Sequence, residues 1–364
     1  MDIAELINPK IRTQPIYEPG KPIEEVAREI GLDLNEICKL ASNENPLGAS
    51  PLAIQAATDA LNKVHLYPDG ASYYLKESLS QHWNLEPNQF TLGNGSNEVI
   101  ELIGHAFLKD GDEVLMGSQA FIVYKLVTLL FGAIPVEVEM PDYKHDLSRM
   151  LDKVHDKTKL VFLPSPNNPT GTANTENEIY EFVRALPDSV IFCFDEAYAE
   201  YNQEAPNLLP LIEEGRKVIG LRTFSKIYGL AGLRIGYSYS NSKISGLLNQ
   251  VREPFNINSI AQVAAVAALK DKNHVRTCRE QNKVGRDLWS EELEALGIPY
   301  IPSQANFILA KVGNAQKLFF ELQDKGVITR PMKPYGLENH LRISIGTCEQ
   351  NKHAVEVLKG IYNK

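Results

Sequence analysis

The segment Thr223-Phe-Ser-Lys-Ile-Tyr-Gly-Leu-Ala-Gly-Leu-Arg-Ile-Gly-Tyr237 places Ser225, Lys226 and Arg234 in one glycine-rich turn behind an apolar run. A lysine among Phe224, Ile227, Tyr228 and Leu230 sits in surroundings that lower an amine pKa, which is what imine formation with a carbonyl needs. The plainer alternative, a lysine pointing into solvent, suits that apolar company poorly. Upstream, Gly93-Asn-Gly-Ser-Asn97 follows the short run Gln89–Leu92 and opens a helix. Unpaired N–H groups at a helix start suit a phosphate. The same residues also read as a tight turn with Ser96 as N-cap. Glu98 stands where the dinucleotide fingerprint G-x-G-x-x-G requires its third glycine, and no G-x-x-x-x-G-K-[ST] occurs.

Two further loops carry polar groups at the ends of apolar runs. In Ser165-Pro-Asn-Asn-Pro-Thr-Gly171, two prolines and a glycine stiffen the chain around Asn168. That amide is placed to hydrogen-bond a ligand oxygen, although an ordinary turn uses the same residues. The run Val190–Phe194 ends in Asp195-Glu196. A carboxylate there is costly without a cationic partner, or else it caps the segment that follows.

The elements that must position these groups follow from the hydrophobic pattern. Apolar runs at Glu113–Met116, Ile134–Val138, Leu160–Leu163, Val190–Phe194, Val218–Leu221 and Arg234–Tyr239 alternate with segments of helical period, such as Asn97–Leu108. Short continuous apolar strands separated by helices predict a mainly parallel sheet covered on both faces, with ligands at the strands' carboxyl ends. After about Ile260 a long helical stretch, Ala261–Glu294, leads to strands at Ala305–Ala310 and Leu341–Ile345 with the helix-like Ala315–Lys325 between them. This predicts a smaller α+β domain. At the other end, a proline-rich arm leads into a short helix over Ile23–Ile30.

The 364 residues carry 37 Lys+Arg against 46 Asp+Glu, a net charge of -9, which is a poor footprint for nucleic acid or an anionic membrane. No apolar run is long enough to cross a bilayer, and the amino terminus is too charged for a signal peptide. Cys38, Cys193, Cys278 and Cys348 are scattered without a C-x-x-C pair and no H-E-x-x-H occurs, so we expect reduced, mostly buried thiols in a cytoplasmic protein and no metal site.

In their order, GNGSNE, SPNNPTG, FDEAY and SKIYGLAGLRIGY, closing with His340-Leu-Arg-Ile-Ser-Ile-Gly346, resemble the fold type I pyridoxal-phosphate aminotransferases, and within them the histidinol-phosphate aminotransferase branch. Ala41-Ser-Asn-Glu-Asn-Pro-Leu-Gly48 and Leu66-Tyr-Pro-Asp69 extend the likeness over nearly the whole chain. The resemblance implies an α/β fold: a large domain with a mainly parallel seven-stranded sheet flanked by helices, plus a smaller α+β domain. The expected division is an arm and short helix over 1–40, the cofactor domain over 41–260 and the small domain over 261–364.

It also implies roles for single residues. Lys226 would hold pyridoxal 5′-phosphate through an imine and, once displaced by an amino substrate, shuttle the proton between substrate Cα and cofactor C4′. Asp195 would pair with the pyridinium nitrogen and keep it protonated, so that the ring accepts electrons. Tyr198 and Asn168 would hydrogen-bond the ring's 3′ oxygen and favour its anionic form. Gly95, Ser96, Asn97, Ser225 and Arg234 would converge on the phosphate, joined by Tyr67 from a partner subunit, which makes a homodimer with shared active sites part of the mechanism. Phe121 would stack on the pyridine face. Arg342 would grip the substrate's anionic end, with Arg330 and Tyr17 as helpers for a phosphate; Arg330 otherwise reads as a solvated surface arginine.

The implied reaction exchanges an amino group between glutamate/2-oxoglutarate and histidinol phosphate/imidazole acetol phosphate, as in histidine biosynthesis. Its rivals in the same fold are an aromatic-amino-acid (phenylalanine or tyrosine) aminotransferase and a threonine-phosphate decarboxylase. A ligand-sensing regulator would need a DNA-binding module, for which the amino-terminal arm leaves little room.

Overall fold

The computed structural model describes residues 3–7, 14 and 23–362. A two-residue strand, β1 (Cys38–Lys39), precedes the strands of the main sheet: β2 (Phe90–Gly93), β3 (Glu113–Gly117), β4 (Ile134–Val138), β5 (Thr158–Pro164), β6 (Ile191–Asp195), β7 (Val218–Thr223) and β8 (Gly236–Ser240). Their order across the sheet is β2-β8-β7-β6-β5-β3-β4. Strand β8 is antiparallel to both of its neighbours, β2 and β7, so the other six strands run one way. The six carboxyl ends therefore share one edge, and β8 enters the sheet there by its amino end. The residues just after β2, β3, β5, β6 and β7, and those just before β8, are brought together by topology alone.

The expected apolar runs are strands because both faces of the sheet are covered. Along β5, Leu160 and Phe162 join one buried cluster while Val161 and Leu163 join another; along β6, Ile191 and Cys193 alternate with Phe192 and Phe194 in the same way. A side-chain period of two with helices on each side leaves no polar face, which is why the sequence shows runs rather than alternation. The Ser96–Phe107 helix buries Val99, Ile100, Leu102 and Ile103 on the sheet. Across the sheet, the Glu176–Ala185 helix buries Ile179, Phe182 and Val183 behind a capping box in which Thr175 and Glu178 satisfy each other's backbone N–H groups. One strand is shorter than expected. Arg234 is not part of β8, because its left-handed backbone (φ 54, ψ 66) cannot continue a pleated strand.

The small domain holds β9 (Tyr300–Ile301), β10 (Phe307–Lys311), β12 (Arg330–Met332) and β13 (Leu337–Ser344) in an antiparallel sheet ordered β12-β13-β10-β9. Strand β11 (Val327–Ile328) instead pairs in parallel with β1. Trp289, Ile308, Leu341, Ile343 and Leu358 form this domain's core, to which Cys38 and Leu40 also belong. The expected long helix is two, Ser259–Lys270 and Lys272–Ala295. It breaks at Asp271, whose carboxylate accepts from the His274 N–H (3.0 Å) and from Ser50 Oγ (2.6 Å) and so caps the second helix. Ala261, Ala264, Ala265 and Ala268 pack in the large sheet's core, as does Cys278 of the second helix, while Trp289 and Leu293 farther along it join the small domain's core.

No described helix is long and apolar enough to cross a membrane, and no described cluster of His, Cys, Asp and Glu could hold a metal ion.

Candidate active site

Asp195, the last residue of β6, is only 5% exposed. Tyr124 Oη donates to its Oδ2 at 2.6 Å and the Ala197 N–H to its Oδ1 at 3.0 Å. Burial pushes the Asp195 carboxyl above the usual carboxylate range; the two donors and the positive charge of Lys226 oppose the shift. Lys226 lies just beyond the neighbouring strand β7, flanked by the fully buried Phe224 and Ile227. Its Nζ is 5.5 Å from the centre of the buried Tyr198 ring. Tyr198 Oη accepts from Asn43 Nδ2 at 3.0 Å. Burial raises the Tyr198 pKa, against the opposing pull of the Arg342 charge and the Asn43 hydrogen bond. The Lys226 turn is itself fixed, since Asn45 Nδ2 donates to the Ile227 carbonyl at 2.7 Å.

At the start of the Ser96–Phe107 helix, Gly95 is the N-cap with φ 84 and ψ 163, and no side chain caps the helix. This corrects the reading of Ser96 as N-cap: Ser96 is the first helical residue, and the helix's leading N–H groups are left for another acceptor. Arg234 packs directly against this turn. A Cβ at Gly95 would come within 2.6 Å of Arg234 Nη2, and one at Gly236 within 2.5 Å of the Ser96 nitrogen. Ser225 is buried beside them, its N–H donating to Thr223 Oγ1 at 3.1 Å, while Asn97 is exposed. Side-chain-free backbone, leading N–H groups and a guanidinium make a cradle that fits a phosphate.

The small domain brings cations to the same edge. Arg342 on β13 is 8% exposed; its Nη1 donates to Asn168 Oδ1 at 2.6 Å and its Nη2 to the Ala41 carbonyl at 2.7 Å. Asn168 is half-buried, between cis peptide bonds at Ser165–Pro166 and Asn168–Pro169. Neighbouring Asn167 ties this loop to the one after β3, donating to the Gln119 carbonyl at 3.0 Å. Arg330 is half-buried and stands opposite Arg342 in the β12–β13 register. Two positive charges are thereby placed on facing residues of adjacent strands.

Phe121 is half-buried, edge-on to Tyr124 at 5.7 Å, and lines a cavity of about 220 Å³ with Ile122, Pro334 and Tyr335. Tyr67 is 84% exposed and stacks on Phe255 at 5.0 Å, with Val64, Leu66 and Tyr74 exposed nearby in the chain. In one copy of the chain it therefore stands on the surface. Tyr17 lies outside the described residues.

Sequence reasoning gave no role to Tyr124, Asn43, Asn45 or Ser344. Tyr124 follows Phe121 by one helical turn, a spacing that could have flagged a shared face. The asparagines sit in a loop, where no periodicity marks a contact.

The family model for class I and II aminotransferases matches residues 35–358. A histidinol-phosphate aminotransferase of Akkermansia muciniphila is 44% identical over 362 residues, spanning 99% of this chain and 100% of the relative. Histidinol-phosphate aminotransferase 2 of Hydrogenovibrio crunogenus is 45% identical over 357 residues, spanning 97% and 95%. Among solved structures, histidinol-phosphate aminotransferase from Sinorhizobium meliloti, in complex with pyridoxal-5′-phosphate, aligns with TM-score 0.87 and 25% identity over 98% of this chain and 97% of that one. With matches that run nearly end to end, over a sheet edge that already gathers lysine, carboxylate and phosphate cradle, the chain belongs to the class I and II aminotransferase family, on its histidinol-phosphate aminotransferase branch.

Proposed function

We propose that the protein is a histidinol-phosphate aminotransferase that transfers the amino group of L-glutamate to imidazole acetol phosphate in histidine biosynthesis. The observation that carries this reading is the placement of the buried Asp195 at the end of β6 and of Lys226 just after the adjacent strand β7, beside a phosphate cradle and two facing arginines. Pyridoxal 5′-phosphate would supply the electron-withdrawing ring that makes loss of a substrate Cα proton feasible. Its phosphate would be held by the N–H groups of Ser96 and Asn97 over the side-chain-free turn of Gly95, whose own N–H donates to the Gly93 carbonyl, by Ser225 and by Arg234, with Tyr67 contributed by a second copy of the chain. Phe121 would cover the ring face. Asp195 would keep the ring nitrogen's proton, and Tyr198 and Asn168 would bind the 3′ oxygen.

Lys226 Nζ then serves as the base that takes the Cα proton and gives it back. Arg342 is held by Asn168 and Ala41, so its charge is presented in a fixed direction, and Arg330 adds the second positive charge that a phosphate dianion calls for. Tyr17 of the arm is the further helper at that end. The exposed Tyr67, Leu66, Val64 and Phe255 support a homodimer interface that completes the site. The free, mostly buried cysteines suit the reducing cytoplasm.

A spectroscopic half-reaction panel tests the assignment. The cofactor-loaded protein is mixed with histidinol phosphate, phenylalanine, tyrosine and threonine phosphate, and released carbon dioxide is measured. Histidinol phosphate should convert the cofactor to its amine form with the highest kcat/KM and no gas. A higher value for phenylalanine or tyrosine, or release of carbon dioxide from threonine phosphate, overturns the substrate assignment.

A further inference from the structure

We infer that Asn43 and Ser344 form a positioning relay that sets the direction of the Tyr198 hydroxyl proton and links it to the strand carrying Arg342. The inference rests on the proposed role of Tyr198 beside the cofactor's 3′ oxygen and deepens it.

The relay follows from counting protons. Ser344 Oγ accepts the backbone N–H of Asn43 at 2.9 Å and gives its own single proton to Asn43 Oδ1 at 2.8 Å. The amide oxygen of Asn43 therefore faces Ser344, and its Nδ2 faces Tyr198 Oη at 3.0 Å. Toward Asn43, then, the tyrosine oxygen can only accept. Its own proton is left for another acceptor, which the proposed function supplies as the cofactor's 3′ oxygen. All three groups are buried, with Asn43 1%, Ser344 4% and Tyr198 4% exposed, so water does not compete for the arrangement.

The relay is anchored at both ends. Asn43 has a left-handed backbone (φ 54), and its carbonyl accepts from Asn306 Nδ2 at 3.1 Å, which holds the residue against the small domain. Phe307 lies opposite Ser344 in the β10–β13 register and packs edge-on against the Tyr198 ring at 5.2 Å. Ser344 and Arg342 are two residues apart on β13 and so share a face of that strand. The arginine proposed to grip the substrate and the serine that orients the tyrosine are thus parts of one rigid element. Asn43 and Ser344 act as positioning residues, through Tyr198.

The test reads the visible absorption of the pyridoxal-phosphate-loaded protein as pH is varied. A donor on the 3′ oxygen spreads that oxygen's negative charge and weakens its hold on the proton of the Lys226 nitrogen, so losing the donor raises the midpoint. Ser344→Ala should raise the midpoint by about one pH unit, a tenfold change in proton affinity. Ser344→Thr keeps the hydroxyl and should restore the parent value. Asn43→Asp, which offers Tyr198 an acceptor in place of a donor, should move the midpoint in the same direction as Ser344→Ala. In a Tyr198→Phe background, Ser344→Ala should add nothing. A parent-like midpoint in Ser344→Ala, or an equal shift with and without the tyrosine hydroxyl, overturns the relay. If Tyr198→Phe alone leaves the midpoint unmoved, the role of Tyr198 falls and the relay with it. If Tyr198→Phe moves the midpoint and Ser344→Ala does not, the relay alone falls.

Discussion

Replacing Tyr124 by Phe removes a single oxygen from the buried side of the site. The ring itself is held by a near-parallel stack on Phe162 (4.6 Å, 6°) and an edge contact with Phe121, and Phe preserves both. What is lost is the 2.6 Å bond to Asp195 Oδ2, one of two hydrogen bonds the carboxylate accepts from the described residues. A hydrogen bond to a charged group contributes roughly 1.5–3 kcal/mol. Losing that bond should raise the Asp195 pKa further above its already elevated position. The sign for stability follows. A carboxyl whose folded pKa lies above its unfolded value contributes stability that is fully present below the unfolded pKa and is lost as pH rises through the folded one. Tyr124→Phe moves the upper end of that window upward, so the variant should lose stability against the parent at neutral pH and little of it near pH 4. Infrared titration of the cofactor-free protein, with Asp195→Asn identifying the carboxyl band, measures the midpoint; urea unfolding at the two pH values measures the stability. An unchanged midpoint in a folded variant would refute the claim that Tyr124 controls this carboxylate.

Three further outcomes are expected. Lys226→Ala should abolish transamination while cofactor binding, followed by equilibrium dialysis, partly survives through the phosphate cradle; turnover at the parent rate removes Lys226 from its role. Arg330→Ala should weaken histidinol phosphate by roughly 10- to 100-fold, the loss of one charge-assisted bond, and glutamate much less; equal changes in the two KM values count against a phosphate contact. Gly95→Ala combines a backbone conformation (φ 84, ψ 163) that only glycine adopts readily with a Cβ aimed at Arg234 Nη2, so cofactor affinity should fall, by an amount that reflects about 1–3 kcal/mol of backbone strain alone. Fluorescence titration with pyridoxal 5′-phosphate checks this, and undiminished affinity would show that the cradle tolerates a side chain.

The main sheet was legible because its strands are buried on both faces: runs such as Leu160–Leu163 and Val190–Phe194 have one dominant structural solution, and their carboxyl ends mark where ligands gather. The reversed direction of β8 was not legible, since a parallel and an antiparallel buried strand use the same residues. The break at Asp271 was hidden for a different reason. The flanking segments keep helical period, and only the side-chain cap and its Ser50 partner, distant in the chain, end the first helix. Lys226, Asp195, Arg234 and Arg342 stood out because motif order singled them out. Tyr124 and Asn43 did not, because what makes them matter is a hydroxyl and an amide meeting Asp195 and Tyr198 from far along the chain.

The ribbon from Ala41 to Asn45 is sewn to both lobes. Its Ala41 carbonyl holds Arg342, its Asn43 backbone holds Ser344 and Asn306, and its two asparagine side chains hold Tyr198 and the Ile227 carbonyl. Any swing of one lobe against the other must either carry this ribbon along or tear it from one side. A nick in the ribbon would remove neither Arg342 nor Tyr198, yet it would loosen the bonds that fix the direction of both.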